Sequence, residues 1–528
     1  MALNKDLTDA EIKDIADKLT AELLRSEGCR KFDDCLRGSS GVGFSERVKE
    51  RDVQETIEPN DPFYWDPASH KEKGKMPGVS GFSSAQETGL TGVCFFPEQV
   101  KSPVHDQWGL HAIGFTPRSN KNSAWNLVDA DQKNTVVAVI DSGLDITHPD
   151  GPKYLWVNPK EIPDNGKDDD GNGYIDDVHG WNFLDNNNVL TDSKGHGTLI
   201  AGIIAARSNN DLAITGVNPG AQIMVLKVAD EKGRADSVGI FRALRYATDN
   251  GARVINISLG GLGVSRLEGV AVDYAHAKGI VVVVAGGNQS ANIEDYGPPA
   301  LRNVISVGAA DQAGQKMWFS NVGSNVGLLA PGKGILSLYS RDSEWTGPAQ
   351  KKKDLVCTAD GTSFAAPFVS AVASLLLAKD PQLKNTDIED ILYGTAKDMD
   401  IEGWDRYAGA GFLDAVAALS GINKKQLTVR FTGVIFRKDE KGRLLSVDLY
   451  GIVRGDLESY EVELTKGTKA GNKGETIFES RNPADEGGLI CHIEGEKLQF
   501  GKEWSVRIIA RDRAGRQKKA TLQFSVGT

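Results

Sequence analysis

The 528 residues are 40% hydrophobic and 25% charged, and 61 Lys and Arg against 72 Asp and Glu leave a formal net charge of -11. A chain of this size has room for two or three domains, needs no disulfide framework to hold it, and with its cations scattered it offers no broad surface for nucleic acid. The start, MALNKDLTDAEIKDI, has neither a basic leader nor an apolar one, and the longest apolar runs, GIVVVVAGG and SLLLA, are too short to span a bilayer, so a cytoplasmic location without membrane contact is expected, or a secreted one if a leader preceded this numbering.

In chain order, residues 1–104 form a first region. LTDAEIKDIADKLTAELL spaces its apolar residues as a helix does, which predicts one amphipathic helix over residues 7–25, and the Pro-, Gly- and charge-rich stretch after it reads as an irregular tether. Residues 105–422 have a different texture. The runs TVVAVI, QIMVLKVA, RVINISL, GIVVVVAGG and NVISVGAA alternate with helical stretches such as SVGIFRALRYATDNG, which predicts a doubly wound α/β domain whose parallel sheet is buried on both faces. Over residues 426–528, LTVRFTGVIF, LLSVDLYGIV, SYEVELT, GLICHI, WSVRIIAR and TLQFSV predict a separate antiparallel β-sandwich. Five cysteines, Cys29, Cys35, Cys94, Cys357 and Cys491, are an odd set without CxxC spacing; a reducing compartment fits them, and Cys357 reads as a small buried residue.

Three places in the α/β domain carry chemistry. VVAVIDSGLDITHPD sets Asp141 just after an apolar strand, SKGHGTLIAGIIAA sets His196 at the start of an apolar helix, and GTSFAAP sets Ser363 at the start of another. Singly, these are ordinary turn and cap residues. Together they supply the hydroxyl, the base and the orienting carboxylate that nucleophilic acyl transfer needs. Pro367 is expected in the first helical turn, where a missing N–H costs little. Between the Asp and His motifs, DNGKDDDGNGYIDD offers Asp168, Asp170, Asn172, Tyr174 and Asp176 at alternating positions with Gly173 at the turn, a density of carboxylates that a hard cation such as Ca²⁺ would neutralise. The spacing departs from an EF-hand in having His179 where the bidentate Glu would stand.

With DSGLDITHPD, GHGTLIAG, NISLGG, VVVVAGGN, FSNVG, LLAPG, GTSFAAP and YAGAGFLDA in this order, the chain resembles the subtilisin-like serine proteases, or subtilases. The resemblance implies a serine endopeptidase acting on polypeptides through an acyl-enzyme, with Ser363 as nucleophile, His196 as base and then acid, Asp141 as its partner and Asn288 as oxyanion donor. It also implies that an extended substrate lies between Gly233-Arg234-Ala235 and Ser258-Leu259-Gly260, with Ala285, Gly286 and Gly287 as the wall of an open primary pocket. Arg234 is expected to favour an acidic residue upstream. A second structural Ca²⁺ is implied at Asp150 and Asn210, without an identifiable glutamine ligand. Residues 1–104 lack the signal peptide and compact prodomain usual in secreted members, so this region is expected to cover the cleft or to dock a regulatory protein, a role also open to the sandwich. Two other readings stay open: a protease switched on only in a complex, and a pseudoprotease that binds without turnover.

Overall fold

The computed structural model describes residues 107–526, apart from 213, 344–355, 400, 423–425, 440, 468–473, 485–486 and 500, together with the backbone of 94–95. The helix expected over residues 7–25 lies outside the described residues.

The core of the α/β part is a parallel sheet built from β1 (Val136–Asp141), β2 (Gln222–Lys227), β3 (Val254–Ile257), β4 (Val281–Ala285), β5 (Ile305–Ala310) and β6 (Leu328–Pro331). In space they run β6-β5-β4-β3-β1-β2, with short strands at Tyr154–Leu155 and Gly180–Asn182 beyond β2. Alternation along β1 explains the two-sided burial: Val137 and Val139 enter one apolar cluster, Ala138 and Ile140 the other. The first cluster holds α1 (His196–Ala205) and α4 (Thr362–Lys379); the second holds residues of α2 (Ser237–Asp249) and α3 (Arg266–Ala277). The chain order reverses between β1 and β3, and the strands' carboxyl ends open a crevice there.

α4 is long and apolar enough to cross a membrane by length and composition, yet 89% of it is buried inside the fold. It is therefore the central core helix, packed against β3, β4 and β5. Pro367 is not in its first turn, as expected from sequence, but at the sixth helical residue. A proline there cannot donate to the carbonyl four residues back, that of Ser363, and the Ser258 hydroxyl donates to that carbonyl instead at 2.8 Å.

The C-terminal residues form two antiparallel sheets. One joins Thr428–Lys438, Leu444–Arg454 and Leu489–Glu494; the other joins Glu475–Ser480, Leu457–Lys466, Glu503–Asp512 and Gln517–Ser525. Glu475–Ser480 had no counterpart among the predicted strands, because ETIFES is short and has only two apolar residues, side by side and not alternating. The sandwich is fastened to α5 (Asn385–Thr395) by ion pairs. Arg454 reaches Asp390 and Glu389 at 2.8 Å, and Arg430 reaches Glu389 at 2.9 Å. Trp404 adds an apolar contact with Phe431.

Two residues of the N-terminal region, Cys94–Phe95, pair antiparallel with Val356–Ala359, the strand that leads into α4. Cys94 stands opposite Cys357 in that register, and Cys357 is disulfide-bonded. This corrects the reading of Cys357 as merely small and buried. Strand pairing across more than 250 residues leaves no mark in local spacing.

Candidate active site

The carboxyl end of β1 carries Asp141 and the first residue of α1 is His196. They meet because the start of α1 touches the turn after β1: a Cβ on Gly197 would come within 2.2 Å of the Gly143 carbonyl oxygen, so only glycine permits the approach. His196 Nδ1 lies 2.8 Å from Asp141 Oδ1 and 3.0 Å from Oδ2, and both residues are buried. Behind Asp141 sits a second buried carboxylate. Asp192 accepts from the Ser142 hydroxyl at 2.8 Å, from Gly195 N–H, and from both the N–H and hydroxyl of Thr198. The Ser142 backbone N–H in turn donates to Asp141 at 2.8 Å while its hydroxyl oxygen accepts the Gly197 N–H, so the dyad is held from both sides. Burial alone would lower the basicity of His196, but Asp141 and, more weakly, Asp192 raise its pKa above the ordinary imidazole value.

Ser363 is the second residue of α4. Its Oγ donates to the Ser258 carbonyl at 3.1 Å, so each of these two serines bonds to the other's backbone. His196 Nε2 is enclosed and has no hydrogen-bond partner among the described residues. Looser hydrogen bonding of this kind is usual before substrate binds.

Asn288 follows β4 after two glycines. Gly287 has φ +100°, and a Cβ there would meet the Asn321 amide at 2.3 Å. The Thr362 N–H and hydroxyl both donate to Asn288 Oδ1 at 2.9 Å, which fixes the amide and leaves Nδ2 free to donate. Thr362 also accepts from Gly287 N–H, and sequence reasoning gave it no such role. Its position beside the serine was visible; its partner, 74 residues away, was not.

Of the two peptide edges, Leu259 and Ser258 are buried and Gly260 is exposed, while Arg234 and Ala235 are exposed beside Gly233. Gly286 donates to Val307 O on β5, which holds the Ala285-Gly286-Gly287 turn against the sheet. Arg234 sends both Nε (2.8 Å) and one terminal N–H (2.6 Å) to Asp230. Its charge is already engaged, so the expected pull on an acidic substrate residue has lost its free cation.

The acidic loop is built differently from its spacing. Glu161, Asp168 and Asp170 bring carboxylate oxygens within 4.8 Å of one another. Asp176 is not among them: its carboxylate accepts from Asn165 and Gly166 N–H. Asn172 turns its Oδ1 to Tyr174 N–H and its amide to Asp177, and the Tyr174 ring packs edge-on against Trp181 and Tyr246. Glu161 was missed because it precedes the acidic run. Its Oε2 is buried and without a hydrogen-bond partner among the described residues, and burial, with Asp177 and Asp170 nearby, raises its pKa. An orphaned carboxylate oxygen beside two further carboxylates is a donor set that suits a hard cation. At the second expected metal position, Asn210 donates to Asp150 at 2.8 Å and Ile214 N–H donates to Asp150 at 3.0 Å. Gln107 exchanges two hydrogen bonds of 2.9 Å with Thr215 in the same segment, a glutamine that sequence reasoning did not find.

The model of the subtilase family matches residues 132–411, just over half of the chain. The chain is 37% identical over 272 residues to the cell wall-associated protease of Bacillus subtilis, a match that takes in 52% of this chain but only 27% of that protein. It is 34% identical over 297 residues to thermitase of Thermoactinomyces vulgaris, covering 56% of this chain and 91% of that one. Among solved structures, a protease from Pseudoalteromonas arctica superposes with a TM-score of 0.50 at 26% identity, covering 62% of this chain and all of the other.

Proposed function

The chain belongs to the subtilase family, and on that premise we propose that it is a serine endopeptidase that cleaves polypeptides through an acyl-enzyme. The observation that carries this reading is the 2.8 Å contact between Asp141 and His196, together with the Asn288 amide that Thr362, the neighbour of Ser363, holds by its oxygen. In the proposed cycle the Ser363 hydroxyl leaves the Ser258 carbonyl for His196 Nε2, which takes its proton as Oγ attacks the scissile carbonyl carbon. The carbonyl oxygen becomes an anion stabilised by Asn288 Nδ2–H and the backbone N–H groups at the start of α4. His196 then passes the proton to the departing amine, and water repeats the sequence in reverse to release the acid. Asp141 keeps the imidazole in the tautomer with its proton on Nδ1 and stabilises the imidazolium. Reaction of the purified chain with a fluorophosphonate tests the assembly of this site: intact mass should rise by one adduct, and a chain that takes none contradicts the proposal.

The lack of side-chain bulk at Ala285-Gly286-Gly287 supports a preference for a large apolar residue at the scissile bond. Regulation through residues 1–104 remains part of the proposal, and the pairing of Cys94–Phe95 with the strand entering α4 gives that region a physical connection to the nucleophile's helix.

For Ca²⁺ we propose Glu161, Asp168 and Asp170 as the holding carboxylates, with Asp150, Asn210 and Gln107 as a second group. A bound cation would relieve the repulsion among the three carboxylates of the first group and balance the single charge of Asp150 in the second, and so stabilise the loops on either side of α1. Chelation with EGTA should lower the unfolding temperature, and Asp168→Asn should remove most of that calcium dependence. An unfolding temperature that is the same in excess EGTA as in saturating calcium would rule the metal out.

A further inference from the structure

Glu268, at the third position of α3, is 4% exposed. The local sequence Ser265-Arg266-Leu267-Glu268 has the form of a capping box, in which the glutamate would turn back to the serine N–H. Only half of that box is present: Ser265 accepts from Glu268 N–H, while the Glu268 carboxylate takes its hydrogen bond from the Ser237 side chain instead. Burial raises its pKa, Ser237 opposes the rise, and no Lys, Arg or His among the described residues contributes. A carboxylate withdrawn from water without a cation is costly to the fold. A raised pKa lets the group meet that cost by holding a proton, and an arriving cation would offset it by restoring the charged form.

The position of the carboxylate indicates which partner. Ser237 lies two residues beyond Ala235, the end of one peptide edge, and Glu268 lies on the helix that follows the other edge, Ser258-Leu259-Gly260. Oε2 of Glu268 also borders Gly297, whose added Cβ would come within 3.3 Å of it, and Gly297 pairs with Gly261 directly past that edge. The carboxylate therefore stands where the two edges close on each other. Leu259 and Ile240, from the edge and from α2, belong to one apolar cluster, against which Leu267 and Val270 of α3 also pack. Ser258 marks the end of the cleft at the scissile bond through its contact with Ser363. An extended peptide advances roughly 3.3 Å per residue, so a side chain that reaches past Gly260 sits about three or four residues upstream.

We propose that Glu268 is a specificity-determining residue that receives a lysine or arginine carried three or four residues upstream of the scissile bond. The claim rests on the peptidase reading above and on its assignment of the two edges. The alkyl stem of such a side chain packs on Leu259 and Ile240 while its charge meets the carboxylate. Arg234 does not repel it, since its guanidinium is held by Asp230. Lys194, whose Nζ lies 3.9 Å from a Cβ placed on Gly233, acts on His196 and is not among the groups that act on Glu268.

The test is a fluorogenic peptide library with one fixed apolar residue at the scissile bond, varied through Lys, Arg, Gln and Leu at each of the second to fifth upstream positions. The wild-type chain should show kcat/KM about tenfold or more higher for Lys or Arg than for Gln at the third or fourth position, weakening with salt. In Glu268→Gln that ratio should fall to about one. Cleavage without a basic preference at those positions overturns the proposal from the wild-type profile alone, whatever the stability of the variant. A basic preference that survives in Glu268→Gln also overturns it. Failure to cleave any peptide, together with absence of a fluorophosphonate adduct, is a distinct result that removes the peptidase reading and this inference with it.

Discussion

Alanine in place of Ser363 will lower kcat by about 10⁶-fold, the loss measured for the triad serine of subtilisin. Ser258, the serine bonded to the nucleophile, is no substitute for it, because it turns its own hydroxyl to the Ser363 carbonyl. His196→Ala will cost about as much, and the double variant no more, since base and nucleophile act in one step. The fold should barely notice the serine change. It removes one hydrogen bond, to Ser258 O, worth about 1 kcal/mol, while α4 keeps its Gly361 cap and its apolar burial. Turnover of a peptide amide measured alongside thermal unfolding separates the two effects. A Ser363→Ala protein that unfolds normally and retains a hundredth of the activity, about 10⁴ above the expected residue, would mean that another nucleophile does the work.

Asp141→Asn will lower kcat by about 10⁴-fold and will also change the pH profile. An amide nitrogen facing His196 Nδ1 favours the wrong tautomer, with the proton on Nε2, where it cannot accept from serine. The sign of the pH effect follows from the charge. Activity requires neutral His196, so it is lost as pH falls through the pKa of that imidazole, which the wild-type protein holds above the ordinary value of about 6.5. Removing the Asp141 charge leaves burial, which lowers the pKa, opposed by the more distant Asp192. The acid limb of the residual kcat/KM should therefore move to lower pH. A limb that stays in place would show that the Asp141 charge does not set the ionisation of His196.

The acidic loop shows why local spacing misleads. Alternating positions 168 to 176 imitate a single continuous ligand run, but Asp176 has φ +51° and folds back onto Asn165 and Gly166. The third carboxylate of the cluster comes from Glu161, on the other side of the turn. Likewise Arg234 reads as a free charge in sequence, and its neutralising partner Asp230 becomes evident only when the 230–234 turn closes through Asp230 N–H to Arg234 O. Glu268 is the reverse case. Its sequence context promises a cap, and only the packing of α2 against α3 turns the carboxylate toward Ser237.

What the sequence determined by itself was whatever depends on neighbours along the chain. Strand and helix periodicity marked the doubly wound sheet, and the Asp141, His196 and Ser363 motifs, with the glycines around them, pointed to the subtilase family. What only the tertiary structure decided was whatever depends on neighbours in space. Thr362 orienting Asn288, Ser258 replacing the hydrogen bond that Pro367 cannot make, Asp192 behind the Asp141–His196 pair, and Cys357 in a disulfide all involve partners brought together by strand pairing or helix packing. Side-chain periodicity fixes which face of an element is buried, but a hydrogen bond needs two groups placed to within a few tenths of an ångström, and only the packed core sets that distance.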